Sequence, residues 1–173
     1  REIVDWWDKI KRYFMFTPLE MRSLIIAILV IAFVFSFNEW GSSDFNVGAG
    51  LFNFFNAILI VTLSFLVHIS VQRMWGLAIG FRVEWKMWSI GLIFSLMMAF
   101  LTNGYVWLIL PGGIMVHHLA GHRLGWFRYD VNYWAVGLIA VTGIFATIFL
   151  IAIFKVLSVF VTNSLIEKAI LFN

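Results

Sequence analysis

The chain has 173 residues, 62% of them hydrophobic, 18% aromatic and only 12% charged. Mean hydropathy is +0.95. Soluble domains are roughly 45–50% apolar and about 25% charged, so an ordinary water-soluble globule and a disordered chain are both excluded. The net charge of +3 arises from few charges, most of the basic ones flanking apolar segments, which argues against a nucleic-acid partner. The absence of cysteine removes disulfides, thiolate metal sites and cysteine nucleophiles.

Four windows lack Asp, Glu, Lys and Arg: 16 residues between Arg22 and Glu39, 28 between Asp44 and Arg73, 36 between Lys86 and Arg123, and 24 between Asp130 and Lys155. A helix needs about 20 apolar residues to cross the hydrocarbon, and a central charge costs roughly 2.5–3.5 kcal/mol. The expected fold class is an all-α integral membrane protein with about four transmembrane helices. An N-terminal interfacial helix and a small membrane-edge β-sheet accompany them.

In chain order, residues 1–17 read as an amphipathic interfacial helix. Ile3, Trp6, Trp7, Ile10, Tyr13 and Phe14 recur at helical spacing among charged residues. Thr17-Pro18 starts a new helix, with Thr as N-cap and Glu20 in the first turn. The membrane domain covers 18–155, with spans expected at about 20–38, 51–71, 88–109 and 133–154. Between them, Phe81, Val83, Trp85 and Met87 alternate with Arg82, Glu84 and Lys86, a period of two that predicts a half-buried strand. Ile114-Met115-Val116 and Trp126-Phe127-Arg128-Tyr129 are candidate second and third strands. Residues 156–173 read as an apolar or interfacial helix, or the start of a further span. Arg1 and the apolar run before Asn173 suggest that residues are missing at either end. Four spans with both termini inside place ten Lys and Arg inside and two outside, which favours a cell-membrane protein with N-in and C-in orientation.

Chemistry-bearing residues are few. His68 lies within an apolar span, where an ionisable group is a functional candidate by default; the plainer reading is a neutral imidazole bonded to a neighbouring helix. His117, His118 and His122 fall within six residues, a spacing able to bind copper or zinc if the segment brings them together. Gly121 and Pro111-Gly112-Gly113 argue for a hairpin-like loop there, and a solvated polar loop is the alternative. Gly137, Ala140, Gly143 and Ala146 recur at three-residue spacing, a small-residue stripe that lets a neighbouring helix approach.

An ordered series of segments resembles the small archaeal members of the site-2 protease family of intramembrane zinc metalloproteases. It runs from Phe16-Thr17-Pro18-Leu19-Glu20-Met21-Arg22, through His68 and the stretch Arg73–Trp85, to Trp88-Ser89-Ile90-Gly91 and Pro111-Gly112-Gly113-Ile114-Met115-Val116. The resemblance implies a helix carrying HExxH, whose two His bind zinc and whose Glu activates water. Here those five positions are His68, Ile69, Ser70, Val71 and Gln72. Ile69 accepts no proton and Gln72 is a poor zinc ligand. The family's Ala-Gly-Pro…Asn stretch falls near Trp134-Ala135-Val136-Gly137 without its Asn, and no Asp follows Asp130. The resemblance therefore implies a protease scaffold that has lost proteolysis. Residues 79–87 and 113–118 are left to hold an extended partner by strand addition.

The expected function is a non-catalytic, accessory subunit of a larger membrane complex, with the lipid bilayer and other membrane subunits as partners. A metal-binding subunit of a membrane oxidoreductase, using His117, His118 and His122, is the first alternative. An intramembrane metalloprotease with altered ligands is the second. A transporter ranks last, because the span centres lack paired charges.

Overall fold

The computed structural model describes residues 2–40, 46–119, 133–160 and 164–173. These residues are mostly helical. Three helices are long and apolar enough to cross a membrane, and a small two-stranded sheet lies beside them.

Helix α1 spans Glu2–Tyr13. It docks on the rest of the chain through Trp6, whose indole Nε1 donates to the Met74 carbonyl at 3.0 Å. Helix α2, Pro18–Phe35, starts with a capping box: the Glu20 amide donates to Thr17 Oγ1, and the Thr17 amide donates to Glu20 Oε2. A single 3₁₀ turn, Phe37–Glu39, follows it. Helix α3, Val47–Ala78, has 32 residues. At 1.5 Å per residue it is about 48 Å long, more than the roughly 30 Å hydrocarbon core requires. The excess carries Arg73 and Gly76 beyond the most apolar stretch, to the place where the sheet begins.

Strand β1, Phe81–Met87, and strand β2, Gly112–His118, pair antiparallel, from Phe81 opposite His118 to Met87 opposite Gly112. Phe81, Val83 and Trp85 are buried, and the intervening side chains are not, as the period-two pattern requires. The third strand expected at Trp126–Tyr129 lies outside the described residues. Gly112 is placed by necessity: its φ is +148°, and a Cβ there would strike the Lys86 carbonyl. Gly112→Ala is therefore expected to cost about 1–3 kcal/mol, read as a lower midpoint in thermal unfolding of the detergent-solubilised protein.

The span expected over 88–109 takes a different form. Helix α4, Ser89–Leu101, has 13 residues and rises only about 20 Å. It ends at Asn103 and Gly104, both at positive φ, with the Gly104 amide bonded to the Ala99 carbonyl at 2.8 Å. The chain then doubles back along α4. The Leu110 amide donates to Ser95 Oγ at 3.1 Å, and the Trp88 amide to the Pro111 carbonyl at 3.0 Å. Irregular backbone among apolar helices is tolerated where its polar groups find such partners. Apolarity across all of 87–122 made this helix-and-return unit look like one longer span.

Helix α5, Tyr133–Phe160, runs antiparallel to α3 and extends past the expected end at 154. Helix α6, Ser164–Phe172, folds back against the bundle. Its Lys168 Nζ lies 2.8 Å from Glu39 Oε2 and 3.3 Å from Asn53 Oδ1, and Phe172 packs edge-on against Phe35. Lys168 thus sits at the Glu39 end of the bundle, opposite the end where α1 meets Met74.

The α1–α2 junction, α3 and β1 are joined by one buried polar cluster. Glu20 Oε1 accepts from Arg73 Nη2 and from the Trp85 amide, the latter at 2.9 Å. Arg73 Nη1 donates to the Phe14 and Met15 carbonyls at 3.1 and 3.3 Å. The guanidinium lies over the Phe16 ring, 4.1 Å from its centroid. The apolar core of Leu24, Ile31, Val61 and Leu92 is built around α2 and α3, and a second cluster joins Phe81 and Val83 to Ala135 and Ile139 of α5.

Candidate functional site

On α3, Ser64, His68 and Gln72 are four residues apart and therefore share one face. Opposite this face, α5 presents Gly143. A Cβ at Gly143 would overlap Gln72 Nε2 and crowd the His68 ring, so the missing side chain is what allows both to face α5. Beside the pair lies a cavity of about 440 Å³. Trp85 of β1, Gly112–Ile114 of β2, Thr147 of α5 and Asn173 border it.

The polar atoms around this space are incompletely paired. Gln72 Oε1 is buried and accepts no hydrogen bond among the described residues, in a residue only 4% exposed. Asn173 Nδ2 donates to the Ala169 carbonyl at 2.9 Å, but its buried Oδ1 has no donor among the described residues. His68 borders the cavity and makes no hydrogen bond among the described residues, so the imidazole–helix bond expected as the plainer reading is not what occupies it. Ser64 donates to the Ile60 carbonyl at 2.9 Å.

His68 and Gln72 thus share one face of α3 and border the cavity beside β2. Ile69 is 2% exposed and belongs to the apolar core. No Asp, Glu, Lys or Arg borders the cavity among the described residues. Nor does any group of three His, Cys, Asp or Glu come within reach of one metal ion among them.

The second histidine group is arranged differently from a loop. His117 and His118 are consecutive residues at the end of β2, so their side chains leave opposite faces of the strand. His117 Nε2 lies 3.9 Å from Glu84 Oε2, and the His118 ring lies 4.4 Å from that of Phe81. His122 falls outside the described residues. Alternation along the strand separates two of the three proposed donors.

The small-residue stripe is also divided. The buried face of α5 carries Ala135, Ile139, Gly143, Ala146 and Leu150. Gly143 and Ala146 belong to that face, and Ala140 borders the cavity. A Cβ on Gly137 would meet nothing within 4 Å. A strict three-residue repeat advances 300° per three positions on a 3.6-residue helix, so it drifts off the contact face.

Sequence reasoning missed Arg73 as the partner of Glu20, and Thr147 and Asn173 as cavity groups. Pairings 53 residues apart, and a terminal Asn carried inward by α6, leave no local signal. Comparisons with family models, with curated proteins and with solved structures gave no match.

Proposed function

We propose that the protein is a non-catalytic membrane subunit derived from a site-2 protease-like scaffold, with the α1 end of the bundle on the cytoplasmic side of the cell membrane. The observation that carries this reading is the site itself. His68 and Gln72 occupy one face beside the glycine-rich strand, while the position that would activate water is the buried, aliphatic Ile69. One imidazole does not hold a catalytic zinc, which takes about three protein ligands. The basic residues Lys9, Lys11, Arg12, Arg22, Arg82 and Lys86 flank the α1 end, which supports its cytoplasmic placement.

A partner has a face to meet. Tyr133 and Trp134 of α5 are 88% and 81% exposed, and Leu138, Val141 and Phe145 continue the exposed surface along the helix. A photo-cross-linking residue at Val141 is expected to trap a discrete membrane polypeptide in native membranes. Adducts to lipid alone, together with a monodisperse monomer after mild solubilisation, would overturn the subunit reading. Chelator-sensitive cleavage of a membrane substrate, abolished by His68→Ala, would overturn the loss of catalysis.

A further inference from the structure

We infer that the cavity between α3, α5 and β2, with Lys86 at its rim, is a binding site for an anionic phospholipid: an acyl chain fills the cavity and the headgroup meets the ammonium. The cavity supplies the apolar half of that match. Its volume of about 440 Å³ lies within the range of small-molecule sites. Phe65, Ile69, Trp85, Ile109, Ile144 and Phe172 border it. Its polar residues turn their groups elsewhere. The Ser64 and Thr147 hydroxyls donate to carbonyls of their own helices, Ile60 at 2.9 Å and Ile144 at 2.8 Å. Gln72 Oε1 and Asn173 Oδ1 are buried out of a ligand's reach, and His68 Nε2 is covered by Gly143. A space lined in this way does not hold water, and α3 and α5 are both apolar enough to stand in hydrocarbon. Ile144 is 55% exposed, so the cavity opens at the bundle surface, where lipid chains lie.

Lys86 supplies the charged half. It is exposed, on the face of β1 that carries Arg82 and Glu84. Those two pair with each other at 3.1 Å, whereas Lys86 has no ion-pair partner among the described residues. Its in-register partner on β2 is Gly113, which borders the cavity. The Cα atoms of such a pair lie about 5 Å apart. A Cβ on Gly113 would share the face of Lys86 and meet nothing within 4 Å, so the space over Gly113 is open. The amide of the adjacent Trp85 donates to Glu20 in the first turn of α2. Lys86 therefore stands at the end of a crossing helix, the depth of lipid headgroups, with its stem free to lie along apolar surface. A zwitterionic head brings its own cation to the same place, and an anionic one does not. This chemistry requires only a membrane around the chain, whether or not the chain descends from a protease.

Trp85 borders the cavity and makes the test direct. Phosphatidylglycerol and phosphatidylcholine, each brominated on the acyl chains, are titrated into the detergent-solubilised full chain, with Trp85→Phe identifying the Trp85 signal. Saturable quenching of Trp85 is expected, with phosphatidylglycerol bound about fivefold more tightly. Lys86→Gln is expected to bring the two lipids to equal affinity, and Lys86→Arg to keep the preference. Ala140→Leu, which enlarges a side chain at the cavity wall, is expected to remove the saturable component for both lipids. Equal affinity of the two lipids for the unaltered chain, or a preference that survives Lys86→Gln, would overturn the inference. So would quenching that rises in proportion to added lipid and ignores Ala140→Leu, which is the behaviour of lipid packed loosely around the bundle. Where Trp85→Phe or Ala140→Leu fails to fold, the comparison of the two lipids on the unaltered chain and on Lys86→Gln, an exposed position, decides the matter.

Discussion

Glu20→Ala is expected to be the most damaging single substitution at a polar residue, at about 3–5 kcal/mol. The carboxylate has three attachments: the Arg73 guanidinium, the Trp85 amide and the first turn of α2. Its removal leaves a guanidinium buried among Phe14, Met15 and Phe16 with carbonyls but without its ion-pair partner. The capping box goes as well, a further loss of about 1 kcal/mol. Glu20→Gln keeps the neutral hydrogen bonds and is expected to lose less. Replacing Glu20 and Arg73 together by Met is expected to recover most of the loss, because the cost is that of stranding one charge. Denaturant unfolding of the solubilised protein, followed by Trp fluorescence, measures all three variants. A Glu20→Ala protein within 1 kcal/mol of the parent would show that water reaches Arg73 freely.

The second large effect is expected at Gly143. A leucine there must displace His68, Gln72 or the helix backbone, because even a Cβ has no room between the two side chains. Overpacking of this kind typically costs about 1–3 kcal/mol, and separation of α3 from α5 would raise the figure. Gly137→Leu is the matched control on the same helix, where a Cβ meets open space. Its effect is expected to stay within about 0.5 kcal/mol. Unfolding midpoints of the two variants give the comparison. Equal effects would mean that the helices do not meet at Gly143, and the cavity would lose one wall.

Both predictions rest on residues whose importance was partly legible beforehand. Glu20 was recognisable as a first-turn acid behind Thr17-Pro18, and His68 as an imidazole in an apolar window. Both readings are local, since capping and span hydropathy depend on neighbours within a few residues or one window. The strand over 81–87 was legible for the same reason: alternation with period two is a backbone property visible in seven residues. Arg73 looked like a flanking charge, because nothing nearby in sequence announces a carboxylate 53 positions earlier. The stretch 88–109 misled because hydropathy measures length of apolarity, whereas a helix stop at Asn103 and Gly104 divides that length into a short helix and a return. His117 and His118 were close in sequence, which on a strand means opposite faces.

The amino-acid sequence by itself determined that this is a membrane protein, that α2, α3 and α5 are apolar enough to cross, and that a short strand interrupts them. Those outcomes follow from solvation of the chain and from the backbone period, which act residue by residue. Only the tertiary structure decided which polar groups share a space. The burial of Glu20 against Arg73, and the meeting of His68, Gln72 and Asn173 around one cavity, depend on how closely α3 and α5 approach. That distance is set at Gly143 by the absence of a side chain, whose consequence appears only when a second helix lies against it.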